Sequence, residues 1–521
     1  MRQLTALDAQ FLNVESATTA AHVAGLAILD ASDGRLDRQA LAELLMERLH
    51  LAPAFTLRLV EVPLGLDRPY WAGDPEFDID NHLFELTLPA PGGERQLAEA
   101  VAKIHARRLD RSRPLWEMHL IHGLAGGKAG VYTKVHHAAI DGVSGAETLA
   151  ALLDLAPGAG PRAVACKTQP AAGPVQGDGV VRELPTAKGG TGVAKTRKAR
   201  EAREVPGLFD MLTGAAVAGV THPARALRSI VRAAGDLDAI PLAANVPGSR
   251  LIARAARMAV GDARERPPLP GLAAPRTPFN GPISPRRHLA FGSVSWKDVK
   301  NVARANGMSG NDVVMALCTT ALRSWLMERD ALPDEPLIAA VPVALRPARA
   351  QERVGNQISA MVAPLPTDTA DPQERLRLVG KTMNAAKRRF ALAPASWLGE
   401  LCALLPAPVT GLVTPAIFRL ASVACPPVNL IISNVPGPQF PLYLCGSRVL
   451  SYYPMSVLSD ATGGVNITCF SYDGMLDFGV VACPERMDDV WGLLDHLRRA
   501  LDELVDKPDE YREAAAEVLP G

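Results

Sequence analysis

The chain has 521 residues, long enough for two or three domains of roughly 100–200 residues each, so a large core and an internal cavity are both possible. Lysine plus arginine and aspartate plus glutamate number 55 each, which leaves no overall field to attract a polyanion. Nucleic-acid binding therefore has no electrostatic support.

Cysteine usage and the N-terminal segment favour a cytosolic protein. The seven cysteines include no Cys-x-x-Cys pair, and an odd number of dispersed thiols fits a reducing compartment better than a disulfide framework. The segment MRQLTALDAQFLNVES carries Asp8 and Glu15 where a signal peptide would need an apolar core. No stretch of about 20 apolar residues is free of proline, so we expect no membrane-spanning helix.

Residues 1–155 mix strand and helix signals and are interpreted as an α/β unit. The apolar run HVAGLAIL at 22–29 is followed by LDRQALAELLMERLH at 36–50, whose leucines fall at helical spacing. From 156 to 206 the composition changes to Gly, Pro, Ala, Lys and Arg, which predicts a flexible linker. Its basic run KTRKAREAR at 195–203 is interpreted as a solvated helix, with an anionic membrane surface as the alternative.

Residues 207–287 are predicted to form a helical and extended crossover. The part from 207 to 260 is rich in Ala and Leu and predicts helix. Prolines recur too often between 267 and 287 for a helix, so that part should be extended.

A second α/β unit is predicted from 288 to 521. A helix should begin near 308, with Ser309 or Asn311 as its N-cap. PLIAAVPVAL at 336–345 is a candidate buried strand, and residues 465–483 predict a hairpin centred on Asp473-Gly474.

The segment 401–447 contains a single charged residue, Arg419, and its first part, 401–433, is interrupted by five prolines. The prolines exclude a continuous helix. A buried core is the simpler interpretation, and a surface that touches lipid is the alternative.

The run VYTKVHHAAIDG at 131–142 places two adjacent histidines at the end of a strand-like stretch. Side chains alternate along a strand, so His136 and His137 should point to opposite faces, which disfavours one metal ion held by both. A free imidazole has a pKa of roughly 6.5, so it is neutral at cell pH and can take a proton from a hydroxyl. His137, on the apolar face, is the better candidate for such a base, although a purely structural pair is the simpler interpretation of the doublet alone.

The pattern His-His-x-x-x-Asp-Gly resembles the signature of the coenzyme-A-dependent acyltransferase superfamily. The chain is similar to the bacterial wax ester synthase/diacylglycerol acyltransferase family in further stretches spread over both halves. These are LTALDAQFLNVES with His22-Val23, WAGDPEFDIDNHL (71–83), PLWEMHLI (114–121), TPFNGPISPRR (277–287), NDVVMALC (311–318), VPVALR (341–346), GNQIS (355–359) and SNVPGP (433–438).

This resemblance implies an α/β fold of two chloramphenicol acetyltransferase-like domains, with mixed sheets flanked by helices and an active-site tunnel at their interface. It implies that His137 acts as general base on the hydroxyl of a diacylglycerol or long-chain alcohol, whose oxygen then attacks the thioester carbonyl of acyl-CoA. Acyl-CoA would be a substrate, and no cofactor or metal is expected.

The resemblance also implies supporting residues. Asp141 of the motif would pair with a buried arginine, which we predict to be Arg58, with Arg346 as a rival. Gly142 would serve the turn, where its backbone is a candidate oxyanion donor. His136 would hold the loop by hydrogen bonding or fill a packing role.

Three further residues belong to the matching stretches. Asn280 is a candidate substrate or oxyanion contact, although a turn element is the simpler interpretation. In the Asn311-Asp312 pair, helix capping explains both residues as well as catalysis does, so we class them as structural support.

The expected activity is acyl-CoA:diacylglycerol acyl transfer to triacylglycerol, with wax esters as possible products. Acyl transfer to another hydroxyl, a lipid-binding protein without turnover and, more remotely, a metal-dependent hydrolase remain alternatives. The expected location is cytoplasmic and peripheral, on the inner membrane face or on lipid droplets. The sequence does not indicate an oligomeric state.

Overall fold

The computed structural model describes residues 2–140, 152–157, 249–259, 274–344, 358–392 and 426–505, with the single positions 211, 410, 411, 413, 414, 416, 419 and 420. The basic run at 195–203 and nearly all of the predicted linker lie outside the described residues, as does most of 207–248.

The helices within the described residues alternate with strands along the chain, as expected for an α/β protein. They are α1 (Ala6–Val14), α2 (Arg38–Arg48), α3 (Glu94–His105), α4 (Ser249–Ala259), α5 (Trp296–Ala305), α6 (Gly310–Met327), α7 (Pro372–Leu392) and α8 (Val490–Val505). The strands are β1 (Arg2–Gln3), β2 (His22–Asp30), β3 (Leu57–Val60), β4 (Tyr70–Gly73), β5 (Leu83–Thr87), β6 (Trp116–Leu124), β7 (Lys128–His136), β8 (His288–Ser295), β9 (Leu337–Ala344), β10 (Ile358–Leu365), β11 (Leu430–Pro436), β12 (Tyr443–Leu444), β13 (Ser447–Met455), β14 (Val465–Tyr472) and β15 (Met475–Ala482).

Two six-stranded sheets organise the described part of the chain. The first has the order β12-β13-β2-β7-β6-β5 and the second β10-β9-β11-β14-β15-β8, while β1, β4 and β3 form a small third sheet. Both large sheets are mixed, because β5 runs parallel to β6 and β11 runs parallel to β9 and β14, whereas their other pairs are antiparallel. The α/β fold with mixed sheets flanked by helices is therefore confirmed.

Most elements singled out in the sequence are confirmed. The run at 22–29 lies in β2, and the leucine-rich stretch after it forms α2, capped by Asp37. Ser309 is the N-cap of α6. The hairpin of β14 and β15 turns at Asp473-Gly474, where both residues have a positive φ, as a tight two-residue turn between twisted strands requires.

The two large sheets pack on one another through β13. This strand comes from the C-terminal part of the chain, yet it pairs antiparallel with β2 and so completes the first sheet. Gly479 of β15 lies beneath it, and a Cβ added there would come within 1.8 Å of the Pro454 carbonyl oxygen. Glycine is therefore required at 479 for the sheets to approach this closely. Leu26, Tyr132 and Phe291 belong to the apolar cluster that fills the interface.

No helix in the described ranges is both long enough and apolar enough to cross a bilayer.

Candidate active site

The histidine pair lies at the end of β7, in the middle of the first sheet. β7 is paired on both sides, with β2 and β6, and His22 lies directly opposite His136. Val131 and Val135 pack into the cluster beneath α2, whereas Tyr132 packs on the other face, so the predicted alternation of side chains is confirmed.

His137 follows the last residue of β7. Its backbone N–H donates to the Ala21 carbonyl at 2.8 Å, which continues the strand pairing by one residue. The ring is 8% exposed and stacks on Phe11 of α1, with ring centroids 4.0 Å apart and planes 2° from parallel. Phe11 packs against an apolar cluster that includes Leu115 and Ala138. The imidazole is therefore held in one orientation by an apolar wall.

His136 is fully enclosed and its hydrogen bonds define its tautomer. Nδ1 accepts a hydrogen bond from the Ala138 backbone N–H at 3.0 Å, so the neutral ring carries its proton on Nε2. That Nε2 lies 3.5 Å from Glu15 Oε1, which is long for a hydrogen bond but close for an electrostatic contact. Burial lowers the pKa of His136, and Glu15 opposes that shift, so the ring is neutral at pH 7.

Glu15, the C-cap residue of α1, connects His136 to a cation. Its Oε2 accepts hydrogen bonds from Arg111 at 2.9 and 3.2 Å, and its Oε1 accepts one from the Ala21 backbone N–H at 3.2 Å. Burial of the carboxyl raises its pKa, but the contacts with His136 and Arg111 outweigh burial and lower the pKa to about 2. Glu15 is therefore ionised, and it supports the strand end that carries both histidines.

A second buried ion pair lies on the same face of β7. Lys134 is fully buried, with Nζ 3.1 Å from Glu117 Oε2, and it also donates to the carbonyls of Ile104 and Arg107. A buried charge of this kind is stable only when it is paired and hydrogen bonded. The ion pair on the polar face of β7 therefore stabilises the strand that ends just before His137, the candidate general base.

The roles of Glu15, Arg111 and Glu117 were not predicted from the sequence. Only the role of Glu117 had a signal in the sequence. Lys134 lies on the same face as His136 within an apolar strand, and a lysine in that position requires a buried acidic partner. The contacts of Glu15 and Arg111 with the strand end depend on tertiary packing, because 96 residues of sequence separate the two.

Asp141, Gly142 and Arg346 lie outside the described residues. Arg58 is described, and its Nε lies 3.7 Å from Asp74 Oδ1. The pairing of Arg58 with Asp141 stays a prediction.

Asn280 has its side chain engaged at both ends. Nδ2 donates to the Val428 carbonyl at 2.9 Å, and Oδ1 accepts from the Thr277 hydroxyl and from the Asn429 amide. These bonds stabilise a turn, and a role in oxyanion binding stays a prediction.

Asn311 and Asp312 lie in the first turn of α6. Asp312 and Ser309 form a reciprocal capping box, and Asp312 Oδ1 also accepts from Lys387 at 3.0 Å. Asn311 Oδ1 accepts a hydrogen bond from the Asn434 amide at 3.2 Å. Within the described residues, the side chains of Asn311 and Asp312 therefore make contacts that stabilise the first turn of α6 and its packing.

An apolar cavity and a polar groove lie against the first sheet in the described part of the chain, and the residues that line them include neither His136 nor His137. The first has a volume of about 820 Å³, which includes the solvent-filled opening of the cavity. Its lining is almost entirely apolar and includes Leu41, Leu45 and Phe470. Thr133 also lines it, four residues before His137 on β7, which is roughly 13 Å along a strand. The second is a polar groove of about 1630 Å³ that has Glu15 in its wall.

Similar proteins share this architecture. Residues 4–314 match the wax ester synthase/diacylglycerol acyltransferase catalytic domain, and residues 354–505 match the C-terminal domain of the same family. A Mycobacterium tuberculosis (strain H37Rv) protein named as a diacylglycerol O-acyltransferase is 34% identical, over 99% of this chain and 92% of that protein. A second protein of that strain with the same activity in its name, tgs2, is 32% identical over 95% of this chain and 97% of its own length.

Solved structures agree with the sequence matches. The wax ester synthase/diacylglycerol acyltransferase from Marinobacter aquaeolei VT8 superposes with a TM-score of 0.61 at 28% identity, over 96% of this chain and 98% of that one. The first condensation domain of the calcium-dependent antibiotic synthetase superposes with a TM-score of 0.52 at 17% identity, over 97% and 96% of the two chains, and shares the fold alone.

Two mixed sheets packed together form a chloramphenicol acetyltransferase-like fold, and the family matches and the named relatives make the protein an O-acyltransferase of that fold. Both halves of the chain carry matches to a single family of these enzymes. The chain belongs to the wax ester synthase/diacylglycerol acyltransferase family.

Proposed function

We propose that the protein is an acyl-CoA:diacylglycerol O-acyltransferase that makes triacylglycerol, with wax esters from long-chain alcohols as further products. The observation that carries the proposal is His137, an imidazole fixed on an apolar wall at the end of a central strand. The diacylglycerol O-acyltransferase names of the mycobacterial relatives support the choice of acceptor.

In this mechanism His137 acts as a general base. The neutral ring takes the proton of the acceptor hydroxyl while the oxygen attacks the thioester carbonyl of acyl-CoA. The tetrahedral intermediate collapses with loss of the CoA thiolate, and the protonated ring returns its proton to that sulfur. One ester and one free CoA thiol form, and no covalent acyl-enzyme is needed because thiolate is already a good leaving group.

The apolar cavity beneath α2 supports a lipid substrate. Its wall carries aliphatic side chains and aromatic rings, among them Tyr452 and Tyr472, and is almost entirely apolar. Burial of an acyl chain there gains roughly 0.8 kcal/mol for each methylene removed from water. A long acyl chain therefore fits the chemistry of this cavity better than a polar acceptor.

The first test is an acceptor panel. Purified protein given labelled palmitoyl-CoA should convert diolein to labelled triacylglycerol and release an equal amount of free CoA, with hexadecanol as a second acceptor. Release of CoA without a labelled ester of either acceptor would show hydrolysis and contradict the proposal. If the protein acylated only other hydroxyl compounds, that class of compound would take the place of diacylglycerol as the proposed acceptor.

We further propose that the protein acts in the cytoplasm, peripherally on a membrane face or lipid droplet. The support for this location is the segment 401–447, which carries a single charged residue and in which Leu420 is 69% exposed. Vesicles containing diolein should therefore sediment the protein at low salt, and vesicles of phosphatidylcholine alone serve as the control. Protein that stays in the supernatant with both preparations would contradict this location.

A further inference from the structure

The apolar cavity beneath α2 contains two tyrosines that differ in their hydrogen bonds. They are Tyr452 of β13 and Tyr472 of β14. The Tyr472 hydroxyl donates to the Val449 carbonyl at 3.0 Å and accepts from the Leu442 backbone N–H at 2.8 Å. In the described part of the chain, the Tyr452 hydroxyl makes no hydrogen bond. A hydroxyl left unpaired in apolar surroundings is unfavourable, so a ligand oxygen beside Tyr452 would be stabilised.

Contacts from three other strands fix the phenol of Tyr452 in one position. Its backbone N–H donates to Asp477 Oδ2 at 2.8 Å, just after the register shift of β13 against β2. Its ring lies edge-on to Phe470 of β14, with centroids 5.0 Å apart and planes at 61°. Its hydroxyl lies over Gly25 of β2, where an added Cβ would overlap the phenol oxygen. Glycine at this position of β2 therefore makes room for the phenol.

A second hydroxyl, that of Thr133 on β7, lies beside the first. Thr133 is directly opposite Gly25 in the sheet and lines the same cavity. Directly opposite residues have positions for Cβ that are roughly 5 Å apart, so the Thr133 hydroxyl is close to the phenol oxygen over Gly25. Thr133 is half-buried, whereas its neighbours Tyr132 and Lys134 are fully buried, because it faces the cavity. Among the described residues, the Thr133 hydroxyl also has no hydrogen-bond partner.

The hydroxyls of Tyr452 and Thr133, the hydroxyl pair, form a small polar site in an otherwise apolar wall. Burial raises the pKa of Tyr452 to about 12, so its hydroxyl stays protonated and can donate a hydrogen bond. A threonine hydroxyl can both donate and accept. One hydroxyl group of a ligand would therefore give both side chains a partner, while the rest of that ligand must be aliphatic to match the wall.

The position of the hydroxyl pair indicates which part of a lipid it would contact. Thr133 and His137 belong to the same face of β7, four residues apart, which is roughly 13 Å along a strand. An oleoyl chain is longer than this, so a thioester held at His137 would place the middle of the chain beside the hydroxyl pair. A plain chain would cover both hydroxyls without pairing them, whereas a chain with a hydroxyl group at that depth would pair both.

We propose that the apolar cavity binds acyl chains that carry a hydroxyl group near the middle of the chain, and that Tyr452 and Thr133 hydrogen-bond this group. The inference rests on the proposed use of acyl-CoA with its thioester at His137, and it names the class of acyl chain that the protein prefers.

The test compares two donors that differ only in one mid-chain hydroxyl group, ricinoleoyl-CoA and oleoyl-CoA. With diolein as the acceptor, kcat/KM of the wild-type protein should be roughly tenfold higher for ricinoleoyl-CoA, because the plain chain leaves the hydroxyl pair without a partner. The third donor, α-hydroxyoleoyl-CoA, carries its hydroxyl beside the thioester and should show no such gain over oleoyl-CoA.

Variants of the hydroxyl pair locate the origin of the preference. Tyr452→Phe/Thr133→Val keeps the shapes of both side chains and removes both hydroxyls, so the ratio of kcat/KM for the two donors should fall to one or below. Gly25→Ala keeps both hydroxyls but displaces the phenol, and it should also lose the preference. Tyr453→Phe is the matched control, since the Tyr453 hydroxyl lies 3.4 Å from that of Ser293 in the sheet interface, and it should keep the full preference.

Binding of the free fatty acids separates this inference from the proposed function. In calorimetry without acyl-CoA or acceptor, ricinoleate should bind the wild-type protein roughly tenfold more tightly than oleate, and the difference should disappear in Tyr452→Phe/Thr133→Val. If the acids bind in this way and diolein is not acylated, the proposed function fails and the assignment of the cavity stands. If diolein is acylated equally well from both donors, the proposed function stands and the assignment of the cavity fails.

Three results would overturn the assignment of the cavity. The first is an equal kcat/KM for ricinoleoyl-CoA and oleoyl-CoA in the wild-type protein, which would mean that the hydroxyl pair binds water only. The second is a preference that persists in the double variant. The third is an equal gain for α-hydroxyoleoyl-CoA, which would show an effect of donor polarity instead of a site at this depth. Tyr452→Phe alone should lose part of the preference, and it provides the folded comparison if the double variant is unstable.

Discussion

Replacing His137 by alanine is expected to lower kcat/KM for acyl transfer to diolein by roughly two to four orders of magnitude, the usual contribution of a positioned general base. The acceptor hydroxyl is a poor nucleophile while it keeps its proton, so removal of the base that takes the proton slows the attack on the thioester. The measurement is the initial rate of CoA release with palmitoyl-CoA and diolein.

His288→Ala is the matched control for this substitution, because that histidine is exposed at the start of β8. It should retain wild-type activity. The thermal unfolding of both variants should remain cooperative, since loss of one imidazole beside Phe11 removes little of the core. A folded His137→Ala protein with more than a tenth of the wild-type rate would refute His137 as the base.

The Glu15→Gln variant is expected to lose about 2 kcal/mol of unfolding free energy and at least tenfold in kcat. The substitution leaves the Arg111 guanidinium without its carboxylate, and breaking a buried ion pair is costly, although partial exposure of Arg111 reduces the cost. It also removes the charge that faces His136, so the strand end that orients His137 becomes less rigid. Chemical denaturation and steady-state rates measure the two effects.

The stability effect of Glu15 should depend on pH in a defined window. The carboxyl has a folded pKa of about 2 against an ordinary value of 4.5, so the unfolded chain takes up the proton first as the pH falls. The stabilisation is therefore fully present above about pH 5 and is lost as the pH falls through 4.5 towards 2. The difference between wild type and Glu15→Gln should shrink over the same range.

Glu99→Gln on the exposed side of α3 serves as the control for the loss of one carboxylate. It should change neither the unfolding free energy nor its pH dependence by more than about 0.5 kcal/mol. A wild-type minus Glu15→Gln difference that stayed constant from pH 6 to pH 3 would mean that the Glu15 charge does not stabilise the strand end.

Several local elements were predictable because their causes are local. The hairpin at Asp473-Gly474 follows from a residue pair that accepts positive φ, and the N-cap at Ser309 follows from a hydroxyl before an apolar helical pattern. The opposite orientation of residues on the two faces of β7 follows from strand geometry alone. These features require no knowledge of distant parts of the chain.

The candidate site was only partly predictable, because the contacts that support it are made by segments far apart in the sequence. The histidine pair stands out in the sequence, but its supports come from elsewhere: Phe11 and Glu15 from α1, and Arg111 from the segment before β6. The cavity lined by Thr133 and Tyr452 likewise brings together residues that no local pattern connects.

The sequence by itself determined the α/β class, the strand that carries the histidines and the family to which its motifs point. Only the tertiary structure decided that β13 completes the first sheet, that α1 lies against His137 and that a buried carboxylate faces His136. Turns, caps and strand faces depend on neighbouring residues, whereas sheet order and side-chain pairing depend on how apolar surfaces from distant segments are buried together.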